Sequence, residues 1–100
     1  MNLQLKRTLT EAAHESGKIL AKNFGGKYKI SSKVVVSNLV TEIDLRSEKK
    51  IISVIRKAFP DHSILTEESG ELIKDSEYQW IIDPIDGTVN YAHGIPLTCV

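Results

Sequence analysis

The chain has 100 residues, a formal net charge of zero at pH 7, 41% hydrophobic residues and 26% charged residues. This composition is ordinary for one small globular domain or for part of a larger one. No basic surplus directs the chain to nucleic acid or to an anionic membrane, and no apolar stretch approaches the roughly 20 residues of a membrane span. The N-terminal residues lack the apolar core of a signal peptide, and Cys99 has no second cysteine for a disulfide, so a cytoplasmic location is expected.

The first half of the chain predicts two long helices. Apolar residues recur at near-helical spacing from Leu3 to Phe24, and Gly25-Gly26 then offers a C-terminal stop. The segment KYKISSKVVVSN, residues 27–38, predicts a strand-like or irregular connection. A second helix is predicted from about Val40 to Phe59, where Pro60 ends it.

The second half predicts short strands separated by loops. HSILTEES, residues 62–69, predicts a short strand that runs into an acidic loop, and ELIKDSEY, residues 71–78, predicts a polar connection. QWIID, residues 79–83, has the continuous apolar run of a buried strand. A short helix is predicted after Gly87-Thr88, and LTCV, residues 97–100, resembles the opening of another strand.

The segment WIIDPIDGTVNY, residues 80–91, carries the strongest chemical signal. Asp83 stands where the predicted buried strand ends, and Pro84 biases it to an extended conformation. That geometry lets Asp83 and Asp86 turn toward one point, with the carbonyl of Ile85 between them. Such a cluster of hard oxygens suits Mg²⁺ or a similar cation.

Gly87 and Thr88 add an anion site to this segment. Their backbone N–H groups stand at a predicted helix start, where phosphate groups bind. A divalent cation beside an anion site is the equipment for phosphoryl transfer. The alternative is a simple turn, because D-P-x-D-G has proline and glycine at turn positions, and for this pentapeptide alone the odds are roughly even.

The longer string WIIDPIDGTVNYAHGIP closely resembles the signature of the inositol monophosphatase family. LVTEID, residues 39–44, resembles the start of the family's second helix, and TEES, residues 66–69, resembles its G-E-E-S block. The resemblance covers nearly the whole chain, residues 1–100. It implies an α+β fold, the N-terminal part of the layered α-β sandwich shared with fructose bisphosphatases, with two long helices packed on a largely antiparallel sheet. Asn90-Tyr91 favours this branch over the bisphosphate nucleotidases.

The resemblance also implies roles for individual residues. Glu67 and Thr88 would orient and help to deprotonate the attacking water, and Asp44 would pair with Thr88. Gly87 and Thr88 would hold the substrate phosphate through their backbone N–H groups, and Lys33 would lie near a metal-bound water. The implied metal ligands are Glu67, Asp83, the carbonyl of Ile85, and Asp86.

The implied reaction is the Mg²⁺-dependent hydrolysis of inositol monophosphate or a similar small phosphate ester. One Mg²⁺ would activate water, a second would stabilise the leaving alkoxide, and water would attack phosphorus in line without a phosphoenzyme. Sensitivity to Li⁺ and a homodimer at full length are also implied. The alternatives are a 3'(2'),5'-bisphosphate nucleotidase of the same superfamily and a metal- or phosphate-binding remnant without turnover.

Each of these residues also has a purely structural interpretation. Glu67 and Glu68 can be interpreted as solvent-exposed residues of a loop. Thr41-x-x-Asp44 fits an ordinary helix start. Trp80 is better interpreted as a core residue than as a binding surface. For His93, a place on the surface is expected.

Three residues depart from the family pattern, and none of these departures removes a proposed metal ligand. Asn38 stands where the family commonly has aspartate, Thr66 replaces the glycine of G-E-E-S, and Val89 replaces a frequent threonine. Family members are more than twice as long and supply a further aspartate from a W-D-x-A-type motif. We therefore expect residues 1–100 to be the N-terminal part of a phosphatase, inactive alone, with both helices on one side of a small sheet and the other side unusually exposed.

Overall fold

The computed structural model describes residues 2–27, 30–32 and 39–100. Lys33, which the resemblance places near a metal-bound water, and Asn38, which departs from the family pattern, lie outside these ranges. None of the helices in the described ranges is long and apolar enough to cross a lipid bilayer. The elements in chain order are α1 (Leu3–Asn23), β1 (Ile30–Ser32), β2 (Leu39–Thr41), α2 (Glu42–Ala58), β3 (Ser63–Thr66), β4 (Gly70–Leu72), β5 (Gln79–Ile82) and α3 (Thr88–Ala92).

Helix α1 begins at a side-chain cap and buries one narrow stripe. The side-chain oxygen of Asn2 accepts hydrogen bonds from the backbone N–H groups of Gln4 at 2.7 Å and Leu5 at 3.3 Å. These bonds satisfy two of the donors that a helix start leaves open. The predicted helix is confirmed to within one residue at its C-terminal end. Its buried residues recur every four positions, at Thr8, Ala12, Ser16 and Leu20.

Helix α2 begins at Glu42 and not at the predicted Val40. The preceding residues, Leu39–Thr41, pair antiparallel with β1 and are therefore a strand. The Thr41 hydroxyl accepts the backbone N–H of Asp44 at 3.1 Å, and the Asp44 carboxylate accepts the backbone N–H of Thr41 at 2.9 Å. This reciprocal capping box confirms the helix start predicted from Thr41-x-x-Asp44 and sets its exact position.

Strand β3 lies at the centre of a mixed sheet with the order β4-β3-β5. It pairs antiparallel with β4 and parallel with β5. The β4 strand includes the first two residues of the segment 71–78, where the sequence predicted only a polar connection, because Glu71 and Leu72 find partners on β3. The parallel register aligns Thr66 with Ile82, so β3 and β5 end at the same edge of the sheet.

Both long helices pack on one face of this sheet, as predicted. On the opposite face, Leu65 and Ile81 are partners in register and remain 36% and 77% exposed. The prediction that the whole QWIID run is buried is therefore wrong for Ile81, because successive side chains of a strand point to opposite faces. The buried cluster between helices and sheet consists of Ala12, Ile51, Val54, Ile55, Ile64 and Ile82.

Aromatic rings close the end of the sheet at which β3 and β5 begin. Trp80 is half-buried against the cluster between helices and sheet, which agrees with its predicted core role. Its indole N–H donates to Nδ1 of His62 at 3.0 Å. The His62 ring in turn stacks on Phe59 with a centroid distance of 4.3 Å. His62 is thus a structural residue.

A second buried cluster lies under the D-P-I-D-G-T segment. It joins α1, α2, the loop after β5 and α3 through Leu20, Ile43, Ile85 and Tyr91. The Tyr91 hydroxyl donates to the backbone carbonyl of Leu20 at 2.8 Å. This bond ties α3 to α1 across the cluster and satisfies a buried polar atom that would otherwise be costly.

The predicted strand LTCV is a single pair of residues in this structure. Asp86 and Cys99 form an isolated antiparallel bridge. The backbone N–H of Asp86 donates to the carbonyl of Cys99 at 2.7 Å, and that of Cys99 donates to the carbonyl of Asp86 at 3.2 Å. The bridge folds the end of the chain back over the loop that carries the two aspartates.

Candidate active site

The parallel pairing of β3 with β5 brings two predicted site residues to one edge of the sheet. Glu67 follows directly after Thr66 at the end of β3, and Asp83 follows directly after Ile82 at the end of β5. Thr66 and Ile82 are partners in register, and neighbouring strands lie about 4.8 Å apart. Glu67 and Asp83 therefore leave the sheet side by side, and both are exposed to solvent.

The loop after β5 alternates between exposed acids and buried anchors. Asp83 and Asp86 are exposed, whereas Pro84 and Ile85 are buried. The hydroxyl of Ser47 on α2 donates to the Pro84 carbonyl at 2.8 Å, which fixes the loop backbone from below. The buried residues Pro84 and Ile85 thus fix the backbone of the loop, while the carboxylates of Asp83 and Asp86 stay accessible to solvent.

The thiol of Cys99 reports on the charge at this loop. Its Sγ lies 3.7 Å from Oδ2 of Asp86, as a weak hydrogen bond. Desolvation raises the pKa of the Cys99 thiol above its ordinary value, and the charge and hydrogen bond of Asp86 and the charge of Asp83 raise it further. The acidic loop thus acts electrostatically on the Cys99 thiol, and the hydrogen bond places that thiol beside Asp86.

The donor atoms at this edge are chemically suited to a hard divalent cation. They are carboxylates and the carbonyl of Ile85, the oxygen types that Mg²⁺ takes in proteins. The Ile85 carbonyl oxygen lies 3.2 Å from the Thr88 hydroxyl oxygen, whose single proton has the shorter contact to Asp44. Across residues 2–27, 30–32 and 39–100, no three His, Cys, Asp or Glu side chains meet as a ready-made ligand group. The convergence of Glu67, Asp83 and Asp86 on one cation therefore stays a prediction, supported by their shared edge and donor type.

The predicted pairing of Asp44 with Thr88 is confirmed. The Asp44 carboxylate is buried, and its Oδ1 accepts the Thr88 hydroxyl at 2.9 Å. Its Oδ2 accepts both the backbone N–H and the hydroxyl of Thr41. The capping box of α2 therefore holds the carboxylate that orients Thr88. Because the Thr88 hydroxyl donates inward, its lone pairs remain to accept a hydrogen bond from a water on the outer side.

Gly87 makes the sharp entry into α3. Its φ is 86°, and a Cβ there would lie 2.9 Å from the carbonyl oxygen of Leu97. The same carbonyl accepts the side-chain N–H of Asn90 at 3.0 Å, which holds the 95–98 segment against the loop. The backbone N–H groups of Gly87 and Thr88 donate to no described residue. They stand beside the two aspartates, where the resemblance implies a phosphate, and that role stays a prediction.

Thr66 gives a structural reason for one departure from the family pattern. Its hydroxyl accepts the backbone N–H of Ser69 at 3.0 Å and donates to the carbonyl of Gly70 at 3.1 Å. The side chain thereby closes the turn that presents Glu67. A threonine in place of glycine thus adds two hydrogen bonds to the turn.

Two site residues that sequence reasoning did not single out are Ser47 and Glu48 on α2. Glu48 is fully buried, and its carboxylate accepts the backbone N–H of Glu68 at 2.9 Å and the hydroxyl of Ser69. A signal was present, because both residues share the buried face of α2 with Ile43 and Ile51. A glutamate at a buried helical position requires polar partners, and the chain supplies them from the turn after β3.

Comparison with known proteins gives a consistent result over the whole chain. The sequence profile of the inositol monophosphatase family matches residues 1–100. The "Nus factor SuhB" of Haemophilus influenzae (strain ATCC 51907 / DSM 11121 / KW20 / Rd) is 48% identical over 87 residues, which are 85% of this chain and 33% of that protein. The "Inositol-1-monophosphatase" of Synechocystis sp. (strain ATCC 27184 / PCC 6803 / Kazusa) is 42% identical over 92 residues, which are 91% of this chain and 32% of that protein.

A solved structure shares the same fold. The extragenic suppressor protein suhB from Bartonella henselae superposes with a TM-score of 0.90 at 35% identity, and the match covers 94% of this chain and 37% of that one. The chain therefore spans about a third of the length of the curated relatives that it matches. The agreement includes the two long helices and the mixed sheet that position the candidate site.

Proposed function

Because the chain belongs to the inositol monophosphatase family, we propose that the protein containing it is a Mg²⁺-dependent phosphomonoester hydrolase. Inositol monophosphate, or a similar small phosphate ester, is the proposed substrate. The observation that carries the proposal is the hydrogen bond of 2.9 Å from the Thr88 hydroxyl to buried Asp44, beside the loop of Asp83 and Asp86. The same carboxylate caps α2, but its bond to Thr88 goes beyond that cap and fixes a hydroxyl next to the acidic loop.

The proposed roles of the residues follow from their positions. Bound Mg²⁺ would supply Lewis acidity for water and for the leaving oxygen, held by Glu67, Asp83, the Ile85 carbonyl and Asp86. The Thr88 oxygen accepts a hydrogen bond from the attacking water, and Asp44 fixes the direction of that oxygen. Glu67 accepts the proton of the water, and the backbone N–H groups of Gly87 and Thr88 hold the phosphate.

The proposal extends to the setting in which the protein works. A small phosphate ester is its partner, without nucleic acid or membrane, and the full-length protein is a homodimer in the cytoplasm. The formal net charge of zero gives these residues no basic surplus, and binding to phosphate backbones requires a basic surface. The dimer rests on the family resemblance.

Two alternatives remain part of the proposal's test. A 3'(2'),5'-bisphosphate nucleotidase would use the same ligand loop and would be faster on an adenosine bisphosphate than on inositol monophosphate. The other alternative is a metal- or phosphate-binding module without turnover; a relative at 48% identity is named Nus factor SuhB, a name that states no enzymatic activity. That relative gives a reason to measure metal binding and turnover separately.

The test is phosphate release from inositol 1-phosphate by the intact protein that contains these residues, with Mg²⁺ and with chelator. We expect Asp83→Asn to lower the rate at least about 100-fold, because an amide is a far weaker ligand than a carboxylate. Thr88→Ala is expected to lower it by about 100-fold as well, through loss of the oriented acceptor. Asp75→Asn, at an exposed loop aspartate, is the matched control and should keep the parent rate. An Asp83→Asn variant with the parent rate would refute the proposal, and residues 1–100 alone should release no phosphate.

Lithium sensitivity is a second expectation of the proposal. If Asp83 and Asp86 build a second cation position, Li⁺ should replace Mg²⁺ there after the chemical step and give uncompetitive inhibition. Steady-state rates at several substrate concentrations, with LiCl against KCl at equal ionic strength, measure this effect. A rate that is the same in both salts would argue against the lithium-sensitive branch of the family.

A further inference from the structure

Ser47 and Glu48 are consecutive residues of α2, and each reaches a different loop of the candidate site. Ser47 donates its hydroxyl to the carbonyl of Pro84 at 2.8 Å. Glu48 accepts the backbone N–H of Glu68 at 2.9 Å and the hydroxyl of Ser69. Both residues are at most 1% exposed, so their polar groups face these loops and not solvent.

We propose that Ser47 and Glu48 are positioning residues that hold the loops 67–69 and 83–86 at one separation and so set the affinity of the site for a divalent cation. The inference rests on the proposed function for the identity of the ligands. It adds two residues that make no direct bond to the cation. Consecutive residues of a helix point about 100° apart, so one turn of α2 can reach both loops at once.

The charges at the edge of the sheet show why such anchoring is needed. Glu67 and Glu68 stand on one loop, and Asp83 and Asp86 stand on the other. Like charges repel, which favours a separation of the two loops. Bonds from α2 to backbone groups of each loop oppose that separation. Hydrogen bonds in which a carboxylate is the acceptor are among the stronger ones in proteins, which suits Glu48 to the task.

The helix that carries the two residues is itself rigidly placed. Its first turn is fixed by the capping box of Thr41 and Asp44, and Asp44 also binds Thr88. Further along, Ile51 and Ile55 are buried in the cluster against the sheet. One face of α2 therefore contacts both loops and the first residue of α3, through side chains four or fewer positions apart. A change in that face should alter metal binding before it alters the fold.

The experiment measures Mn²⁺ binding to the intact protein without substrate, by the electron paramagnetic resonance signal of free Mn²⁺. Glu48→Gln is expected to weaken Mn²⁺ binding about 10- to 100-fold, the range for residues that orient metal ligands. Ser69→Ala removes one of the two bonds to Glu48 from an exposed position, and Ser47→Ala removes one neutral hydrogen bond. Each should weaken binding roughly fivefold. The matched controls are the exposed Glu11→Gln and Ser53→Ala, which should bind as the parent does.

A purely structural role for these residues predicts a different pattern. It would lower the thermal midpoint of unfolding of Glu48→Gln and Ser47→Ala while the folded protein kept the parent affinity for Mn²⁺, and that result would overturn the inference. So would a parent protein that binds no Mn²⁺. If the variants weaken Mn²⁺ binding but the parent releases no phosphate, the inference stands and the proposed function fails. If the parent releases phosphate and the variants bind Mn²⁺ as tightly as the parent does, the proposed function stands and the inference fails.

Discussion

At the scale of single residues, Gly87 and Asp44 serve the candidate site in opposite ways. Asp44 is a buried acid whose two oxygens are fully used, one by the cap of α2 and one by Thr88. Gly87 contributes by the absence of a side chain, because its φ of 86° and the nearby Leu97 carbonyl leave no room for a Cβ. Both arrangements fix the backbone at Thr88, and chemistry at that residue depends on this placement.

Replacement of Gly87 by alanine should therefore destabilise the protein. The left-handed conformation costs about 1 kcal/mol or more for a residue with a Cβ, and the contact at 2.9 Å adds to this, so we expect a loss of about 2–4 kcal/mol in the free energy of unfolding. Urea denaturation measures it. Gly17→Ala is the matched control, since Gly17 lies inside α1 with nothing within 4 Å of an added Cβ. That variant should be stabilised by up to about 1 kcal/mol, and equal destabilisation of the two variants would contradict the argument.

At the scale of elements, α2 is the part that organises the site. Its N-terminal cap orients Thr88, its second turn binds both acidic loops, and its apolar residues anchor it on the sheet. The boundary between β2 and α2 at Thr41 is thus a functional position as well as a local signal. A helix that started two residues earlier, as the periodicity alone predicted, would lack the capping carboxylate of Asp44 at this position.

Thr41→Ala should test this dependence on the cap. The variant loses the acceptor for the first turn of α2 and leaves the buried Asp44 with fewer partners, so we expect a loss of about 2–3 kcal/mol in the free energy of unfolding. Thr41→Ser keeps the hydroxyl and should recover most of this stability. Asn2→Ala removes the exposed cap of α1 and should cost only about 0.5–1 kcal/mol. Equal losses for Thr41→Ala and Asn2→Ala would show that burial of the capping box has no effect.

At the scale of the whole molecule, the sheet has one covered and one open face. Ile82 is buried between the helices and the sheet, whereas its neighbour Ile81 is 77% exposed. This difference in burial follows from the packing of the helices on one face of the sheet, since the strand sequence itself is apolar at both positions.

The pair Ile82→Thr and Ile81→Thr tests this sidedness in the 100-residue chain. Threonine keeps the β-branched shape, so the strand preference changes little in either variant. Ile82→Thr places a hydroxyl in the buried cluster and should cost about 2–4 kcal/mol, while Ile81→Thr should stay within about 0.5 kcal/mol of the parent. Urea unfolding followed by tryptophan fluorescence measures both values. A larger loss in the free energy of unfolding for Ile81→Thr than for Ile82→Thr would contradict the placement of the core on the Ile82 face.

Local chemistry determined much of what was predicted from the sequence. The periodicity of α1, the cap of α2 at Thr41 and Asp44, the short helix after Gly87 and the D-P-I-D-G-T loop depend on residues close in sequence, so their signals are readable there. The family resemblance added the pairing of Asp44 with Thr88, which the structure confirms. The short strand β4 and the exposure of Ile81 were not predicted, because strand pairing and facing depend on partners elsewhere in the chain.

Tertiary structure alone decided which groups meet at the site. The parallel register of β3 and β5 brings Glu67 beside Asp83, although 16 positions separate them, and no local pattern encodes that register. The same holds for Ser47 and Glu48, whose spacing from Ile43 and Ile51 indicates a buried face but not the groups that they contact. Their partners, the Pro84 carbonyl and the turn at Glu68, become neighbours only when α2 packs under both loops. The sequence by itself therefore determined the chemical groups, and packing determined their geometry, because side-chain contacts across long sequence separations follow from the arrangement of layers.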